Sequence, residues 1–355
     1  MSDVTELRVA GEMTEIAGHS VALNYGDVAA EYGALRRGAM VVDRSERGRV
    51  RMSGPRAAEM LAGMVTNDVA ALRPGEGQYA AALLPKGKVL ADLRIFAEDG
   101  SFLVDAPVRA AAGWLAAVRK YVNPRLVPYR DESAALRDIG VFGIGAHHVV
   151  SAITGIGSSA LGVLEPYHHV TAEVDGTPVL VARVPDLALE GFQLFVPAES
   201  SGIVWQRALS AGATPGGVAA FDIARVEAGR PEWGVDIDDT TIPQEANLDE
   251  LAAISYTKGC YIGQETVARV HFRGHVNRHL RGLRYVSPEP IPYRAALLDD
   301  AGKPLGDVRS AVLSPRLGGV ALGMVRREVE LGTQLIARWE GGERRVDVSH
   351  TPFPL

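Results

Sequence analysis

The feature that most constrains this chain is a change of pattern at about residue 278. From there, residues 280–286, 295–298, 308–312, 320–325, 334–339 and 344–348 read as short strands. Between them fall Asp300-Ala301-Gly302, Ser314-Pro315, Leu317-Gly318-Gly319 and Glu340-Gly341-Gly342-Glu343. Short strands at this spacing with glycine-rich turns predict a small antiparallel barrel, whose closure removes exposed sheet edges. Residues 278–355 are therefore set apart as one unit. A chain of 355 residues is too long for one simple core. The remainder divides into an α+β lobe over 1–135 and a second over 136–277, with the polar stretch 131–138 as the connector. The expectation is a three-lobed α+β protein.

The first lobe mixes both periods. Asp27 is placed to cap a helix through Val28, Glu31 and Leu35, which Gly38 ends. Residues 78–84 and 89–96 read as strands on either side of the turn Pro85-Lys86-Gly87-Lys88, which predicts a hairpin. Asp92 lies inside the return strand. A carboxylate there either faces solvent or is aimed into a site. In the second lobe, residues 177–184 and 187–196 read as strands. Gly143 and Gly145 open like a dinucleotide motif, but His148 stands where the third glycine belongs, so that reading is rejected. Arg225 and Glu227 read as an exposed pair on a helix.

Composition matters mainly for what it excludes. A net charge of −6 argues against general nucleic-acid binding, which needs many phosphate-neutralising cations. No apolar run reaches the roughly 18 residues of a membrane span. The start, Met1-Ser2-Asp3-Val4-Thr5-Glu6, lacks the basic and apolar segments of a signal peptide. The single cysteine excludes an internal disulfide and fits a reducing compartment, so a cytoplasmic location is expected. One thiolate also cannot hold an iron–sulfur cluster alone. His271, His275 and His279 recur every four residues, yet Gly274 interrupts them and arginines surround them, so no metal site is expected. No coiled-coil stripe is visible, and a monomer is expected.

That cysteine stands in Lys258-Gly259-Cys260-Tyr261-Ile262-Gly263-Gln264-Glu265. A thiol reacts as the thiolate, which a nearby cation or helix N-terminus favours. Lys258 offers the cation, and a helix starting near Gly263 offers the rest. A lone cysteine is ordinarily a buried structural one. Glycines and charges are poor neighbours for that role, and the residues leave a reactive and an inert thiol equally open.

The octapeptide resembles the Lys-Gly-Cys-Tyr-x-Gly-Gln-Glu signature of the folate-binding YgfZ family, within the superfamily of the glycine-cleavage T-protein, the tetrahydrofolate-dependent aminomethyltransferase. Other segments are similar too. They include Thr66-Asn67-Asp68, Asp92 in the place of the second of two aspartates (the first is Ala91), Phe102-Leu103-Val104-Asp105-Ala106, Gly191-Phe192-Gln193 and Arg225-x-Glu227-x-Gly229-x-Pro231. The likeness runs from about Gly26 to about Val348. It implies a T-protein-like fold ending in a barrel, with tetrahydrofolate or a derivative between the lobes. Tyr79, Asp92, Val104, Gln193, Arg230, Tyr261, Gln264 and Glu265 are the implied folate contacts, and Cys260, Lys258 and Asp92 the implied working residues. Gln193 stands where the superfamily places a pterin-binding glutamate, and an amide accepts through one oxygen only. The resemblance implies a folate-binding protein that supports assembly or repair of iron–sulfur client enzymes through Cys260. Two alternatives stay open: a tetrahydrofolate-dependent aminomethyl or methyl transferase, and a non-catalytic folate-binding scaffold.

Overall fold

The hairpin read around Pro85 forms as Gly77–Leu83 and Val89–Glu98, and it anchors a five-stranded antiparallel sheet. The strands Ser101–Ala106, Gly48–Ser53 and Tyr129–Asp131 follow in that order from Val89–Glu98. This is a computed structural model, and it describes residues 11–354. The polar start at Met1 to Glu6 lies outside the described residues.

A second sheet has six strands in the order His169–Val174, Thr177–Arg183, Gly191–Pro197, Leu136–Phe142, Met40–Asp43 and Thr214–Pro215. Met40–Asp43 therefore belongs to the second sheet, although it precedes every strand of the first. The division expected at 135/136 does not separate the sheets in sequence. After a separate hairpin, Glu12–Ile16 with His19–Asn24, the chain enters the second sheet at Met40, builds the first, and returns.

The two sheets face each other, and side-chain alternation assigns the layers. Tyr79, Phe96 and Leu103 from the first sheet meet Phe142, Ala182 and Phe195 from the second, with Phe96 and Phe195 ring centroids 5.4 Å apart. The opposite face of the first sheet, including Leu93, Ile95 and Val104, packs on the helices Ala57–Ala62 and Val108–Tyr121. The opposite face of the second, including Val141, Phe192 and Leu194, packs on Ala146–Thr154 and Ser201–Ser210.

The barrel is present and closed. Arg278–Tyr285, Gly318–Arg326, Pro304–Ser314, Ala296–Leu298, Gln334–Trp339 and Gly342–Ser349 pair in that order, and the last returns to the first. The helix Val218–Glu227 ties it to the rest, because its buried Glu227 accepts from Tyr32 Oη at 2.8 Å and Arg316 Nη2 at 3.2 Å. Arg225 on the same helix is buried as well, held by Asp236 at 2.7 Å and Ser310 at 2.8 Å. The expectation that Arg225 and Glu227 are an exposed pair is thus corrected: they are interior connectors between lobe and barrel. Among the described residues no helix is long and apolar enough to cross a membrane.

Candidate functional site

A strand period of two puts Asp92, Arg94 and Phe96 on the face that looks between the sheets, while Ala91 and Leu93 face the helices. The aspartate missing at position 91 therefore takes nothing from the inter-sheet face. Asp92 is buried, and Tyr79 Oη donates to its Oδ2 at 2.9 Å. Its Oδ1 has no hydrogen-bond partner among the described residues. Burial pushes the Asp92 carboxyl above its ordinary range, against the pull of Arg47, Tyr79 and Arg94. Burial likewise raises the Tyr79 phenol well above its usual value, helped by the Asp92 charge.

Around this pair lies a network of arginines and carboxylates. The Tyr79 ring stacks on Tyr167 at 6.0 Å and 7°, and the Arg230 guanidinium lies 4.7 Å from the Tyr79 centroid. Arg230 also donates to Tyr167 Oη at 2.5 Å and reaches Asp186 Oδ1 at 3.5 Å. Arg94 pairs with Asp186 and, at 3.0 Å, with Asp105 Oδ2, the oxygen that Arg47 Nε also holds at 2.7 Å. A small cavity of about 30 Å³ opens onto Tyr79, Asp92, Arg94, Asp186 and Arg230. It shares Arg44, Phe221, Arg225 and Glu232 with a larger one of about 460 Å³ that reaches Tyr293 and Arg309 of the barrel.

Gln193 and Arg230 are both interior, and Gln193 faces the same inter-sheet space. Val104 does not: its side chain packs in the core behind the first sheet, and its neighbour Asp105 faces the centre instead.

The octapeptide forms a separate feature. Gly263, at φ +81°, lies against Leu84 and Gly87 of the hairpin turn and leads into the helix Gln264–Arg273. Tyr261 is buried in the inter-sheet core, Gln264 is half-buried, and Glu265 is exposed in the helix's first turn. Lys258 Nζ donates to the carbonyls of Ala62 at 2.5 Å, Val65 at 2.8 Å and Asn67 at 2.8 Å. An ammonium has three donors, and all three are taken. Burial pushes this lysine down to about 8. Lys258 is therefore an anchor between the octapeptide and the first lobe, with its donors directed at backbone carbonyls of that lobe. Cys260 itself is exposed. Lys258→Met should cost about 1–3 kcal/mol, because buried carbonyls lose their donor. It should leave the alkylation rate of Cys260 unchanged, as thermal unfolding and maleimide labelling would read.

The three histidines are not on one helix. His271 lies in Gln264–Arg273 and stacks on Tyr256 at 3.6 Å, whereas His279 lies in the barrel strand Arg278–Tyr285. Sequence reasoning missed Arg94, Asp105 and Asp186 as members of the centre. The alternation that exposes Asp92 to the interior carried Arg94 with it, two residues along. Asp186 left no such signal, since it stands in a loop between Thr177–Arg183 and Gly191–Pro197 that read as strand from residue 187.

Comparison with known proteins adds to this geometry. Residues 5–256 match the GCVT N-terminal domain, and residues 278–354 match the glycine cleavage T-protein C-terminal barrel domain. An aminomethyltransferase of Cutibacterium acnes is 30% identical over 97% of this chain and 95% of its own length. One of Thermosynechococcus vestitus is 29% identical over 94% of this chain and 90% of its own. The crystal structure of glycine cleavage system aminomethyltransferase T from Bartonella henselae superposes with a TM-score of 0.85, covering 98% of this chain and 95% of that one at 23% identity. That likeness concerns the fold.

Proposed function

This chain belongs to the glycine-cleavage T-protein family, and from that premise we propose that it binds tetrahydrofolate between its sheets and transfers a one-carbon group there. The observation that carries the reading is Asp92: a buried carboxylate beside the small cavity, held through Oδ2 by Tyr79, with Oδ1 buried and unpartnered among the described residues. The residues fit a reduced folate. Unpartnered buried acceptors suit the N–H groups of its ring, and the larger of the two adjacent cavities, about 460 Å³, is within the range of small-molecule sites. When bound, the folate would supply the ring nitrogens that carry the one-carbon unit. Tyr79 fixes the orientation of the Asp92 carboxylate, Arg230 stacks on Tyr79 and braces it, and the raised affinity of Asp92 for a proton equips it to take or return one at Oδ1. The assay is transfer from an amine donor to tetrahydrofolate. Failure with several donors, while folate still binds, would remove transfer and leave binding.

One observation favours a second reading, in which the protein supports iron–sulfur enzymes. The octapeptide is ordered, and its thiol is exposed where a client or a sulfur species reaches it. On the transferase reading, Cys260→Ala retains both folate binding and transfer. If cells relying on that variant lose iron–sulfur enzyme activity while the purified protein still binds folate, the second reading gains and the thiol is its working group. If they keep that activity, Cys260 has no such role.

A further inference from the structure

One carboxylate on the cavity walls is held by nothing firm. Glu232 stands in the turn after the helix Val218–Glu227, and its backbone is fixed. Its N–H donates to Asp236 Oδ2 at 2.8 Å, and its carbonyl accepts from the Asp236 N–H at 2.8 Å. Trp233, next in the chain, packs against both inner cores and donates through Nε1 to Val89 O at 3.3 Å. The Glu232 side chain so placed lines the small cavity beside Asp92 and the larger cavity too. Its carboxylate nevertheless accepts no hydrogen bond among the described residues. Its ion pair with Arg109 is a loose contact of 3.6 Å, and the side chain is 17% exposed.

The other carboxylates of these walls are engaged. Glu46 accepts from Arg44 Nε at 3.0 Å, Asp222 accepts from Arg225 Nε at 3.0 Å, and Asp186 pairs with Arg94 and Arg230. Burial raises the Glu232 carboxyl above its ordinary range in spite of Arg225, Arg44 and Arg47. The cations already present therefore do not make up for the water it has lost, and a further cation is accommodated. Size and chemistry say which one. The small cavity, about 30 Å³, has space for about one or two water-sized groups. A primary ammonium is of that size and brings three donors, as a lysine head does. Each N-methyl group would add bulk and remove a donor. Methylated ammonium heads are recognised by open aromatic faces, and the rings here are taken: Arg44 lies 4.1 Å over Phe221, and Tyr79 has Tyr167 and Arg230 against it.

We propose that Glu232 is a specificity-determining residue for the one-carbon donor, holding a primary ammonium in the small cavity that Asp92 also lines and so selecting unmethylated amines over N-methylated ones. The inference rests on the transfer reading above and adds to it the residue that receives the amine. The division of labour follows from position. Asp92 is fixed through Tyr79 and keeps one oxygen unpartnered, whereas Glu232 has its whole carboxylate available on a rigid turn. An amine bound to Glu232 lies in the same small space as Asp92, which places the carbon next to it within the transfer site.

The test is binding of isotope-labelled methylammonium to the whole protein, read as broadening of its methyl resonance, with tetramethylammonium as the comparison. Wild type, Glu232→Gln and Glu232→Asp are each titrated with and without 5-formyltetrahydrofolate. Wild type should broaden methylammonium saturably and leave tetramethylammonium sharp. Loss of a charged hydrogen bond predicts weakening of roughly tenfold or more in Glu232→Gln. Glu232→Asp keeps the charge on a shorter stem and should fall between the two. Because the Glu232 carboxylate supports no hydrogen bond, both variants should unfold close to the wild-type temperature, which thermal unfolding checks. Equal methylammonium binding by wild type and a folded Glu232→Gln, equal binding of tetramethylammonium, or no methylammonium binding by wild type in either condition would each overturn the proposal. The folate titration keeps the two readings apart. Folate binding without amine binding removes this inference and leaves the folate reading, whereas Glu232-dependent amine binding without folate binding leaves the ammonium site and removes the folate reading.

Discussion

Asp92→Asn is expected to lower one-carbon transfer by about 10²–10⁴-fold, the range set by loss of a positioned acid or base, without unfolding the protein. The asparagine keeps the shape and still accepts from Tyr79 Oη through one oxygen, but it offers no proton affinity at the position of Oδ1. The stability side has a definite sign. Burial raises the Asp92 pKa in the folded state, so folding is weakened as pH rises from the unfolded value of about 4 through the folded one. The uncharged asparagine escapes that cost, so its unfolding midpoint at neutral pH should be no lower than that of wild type. Steady-state kinetics at saturating folate, paired with thermal unfolding, separates the two effects. Loss in the turnover number with little change in folate KM marks a group used in the transition state. Full transfer activity in a folded Asp92→Asn would leave the carboxylate as packing and remove its role as acid or base.

How much of this was legible beforehand follows from the physics of each element. The barrel was readable because closure needs short strands and tight turns, and both leave marks in single residues such as the run Glu340-Gly341-Gly342-Glu343. The hairpin and the helix capped by Asp27 were readable for the same local reason: Asp27 accepts from the Ala29 and Ala30 backbone N–H groups as its position implies. What stayed hidden is set by distance in sequence. Met40–Asp43 sits beside Leu136–Phe142 across nearly a hundred residues, which no local pattern records. Arg225 and Glu227 look like a solvated pair because their partners lie in other segments, Asp236 close by and Arg316 and Ser310 in the barrel. Lys258 reads as a free cation beside a thiol until the carbonyls of Ala62, Val65 and Asn67 are brought to it. A motif names the residues that matter; only the packing says which atom each one faces.

Asp186→Asn should destabilise the protein by about 3–5 kcal/mol, the cost of leaving buried charges without their counter-ion. Asp186 is buried between two arginines from different segments, Arg94 on the first sheet and Arg230 beyond the helix Val218–Glu227. Arg94 keeps Asp105, but Arg230 is left with a tyrosine hydroxyl and a ring face. Against a typical total of about 5–15 kcal/mol for a folded domain, this is a large fraction. It should appear as a lower denaturant midpoint with an unchanged slope. The pH dependence again fixes the sign. Burial pushes the Asp186 carboxyl up, Arg94 and Arg230 outweigh it, and the group ends below its usual range. Its contribution is therefore complete above the unfolded value of about 4 and disappears as pH falls through the folded one. The gap between wild type and variant should accordingly be constant from neutral pH down to about 5 and close in stronger acid. A gap below about 1 kcal/mol at neutral pH would put this pairing with exposed ion pairs, and the centre would then owe its order to the Tyr79–Tyr167 stack and the surrounding apolar core. Because Arg230 also braces Tyr79, and Tyr79 holds Asp92, the same substitution should loosen the carboxylate that the transferase reading depends on. Loss of stability and loss of transfer in this one variant are two readings of a single network.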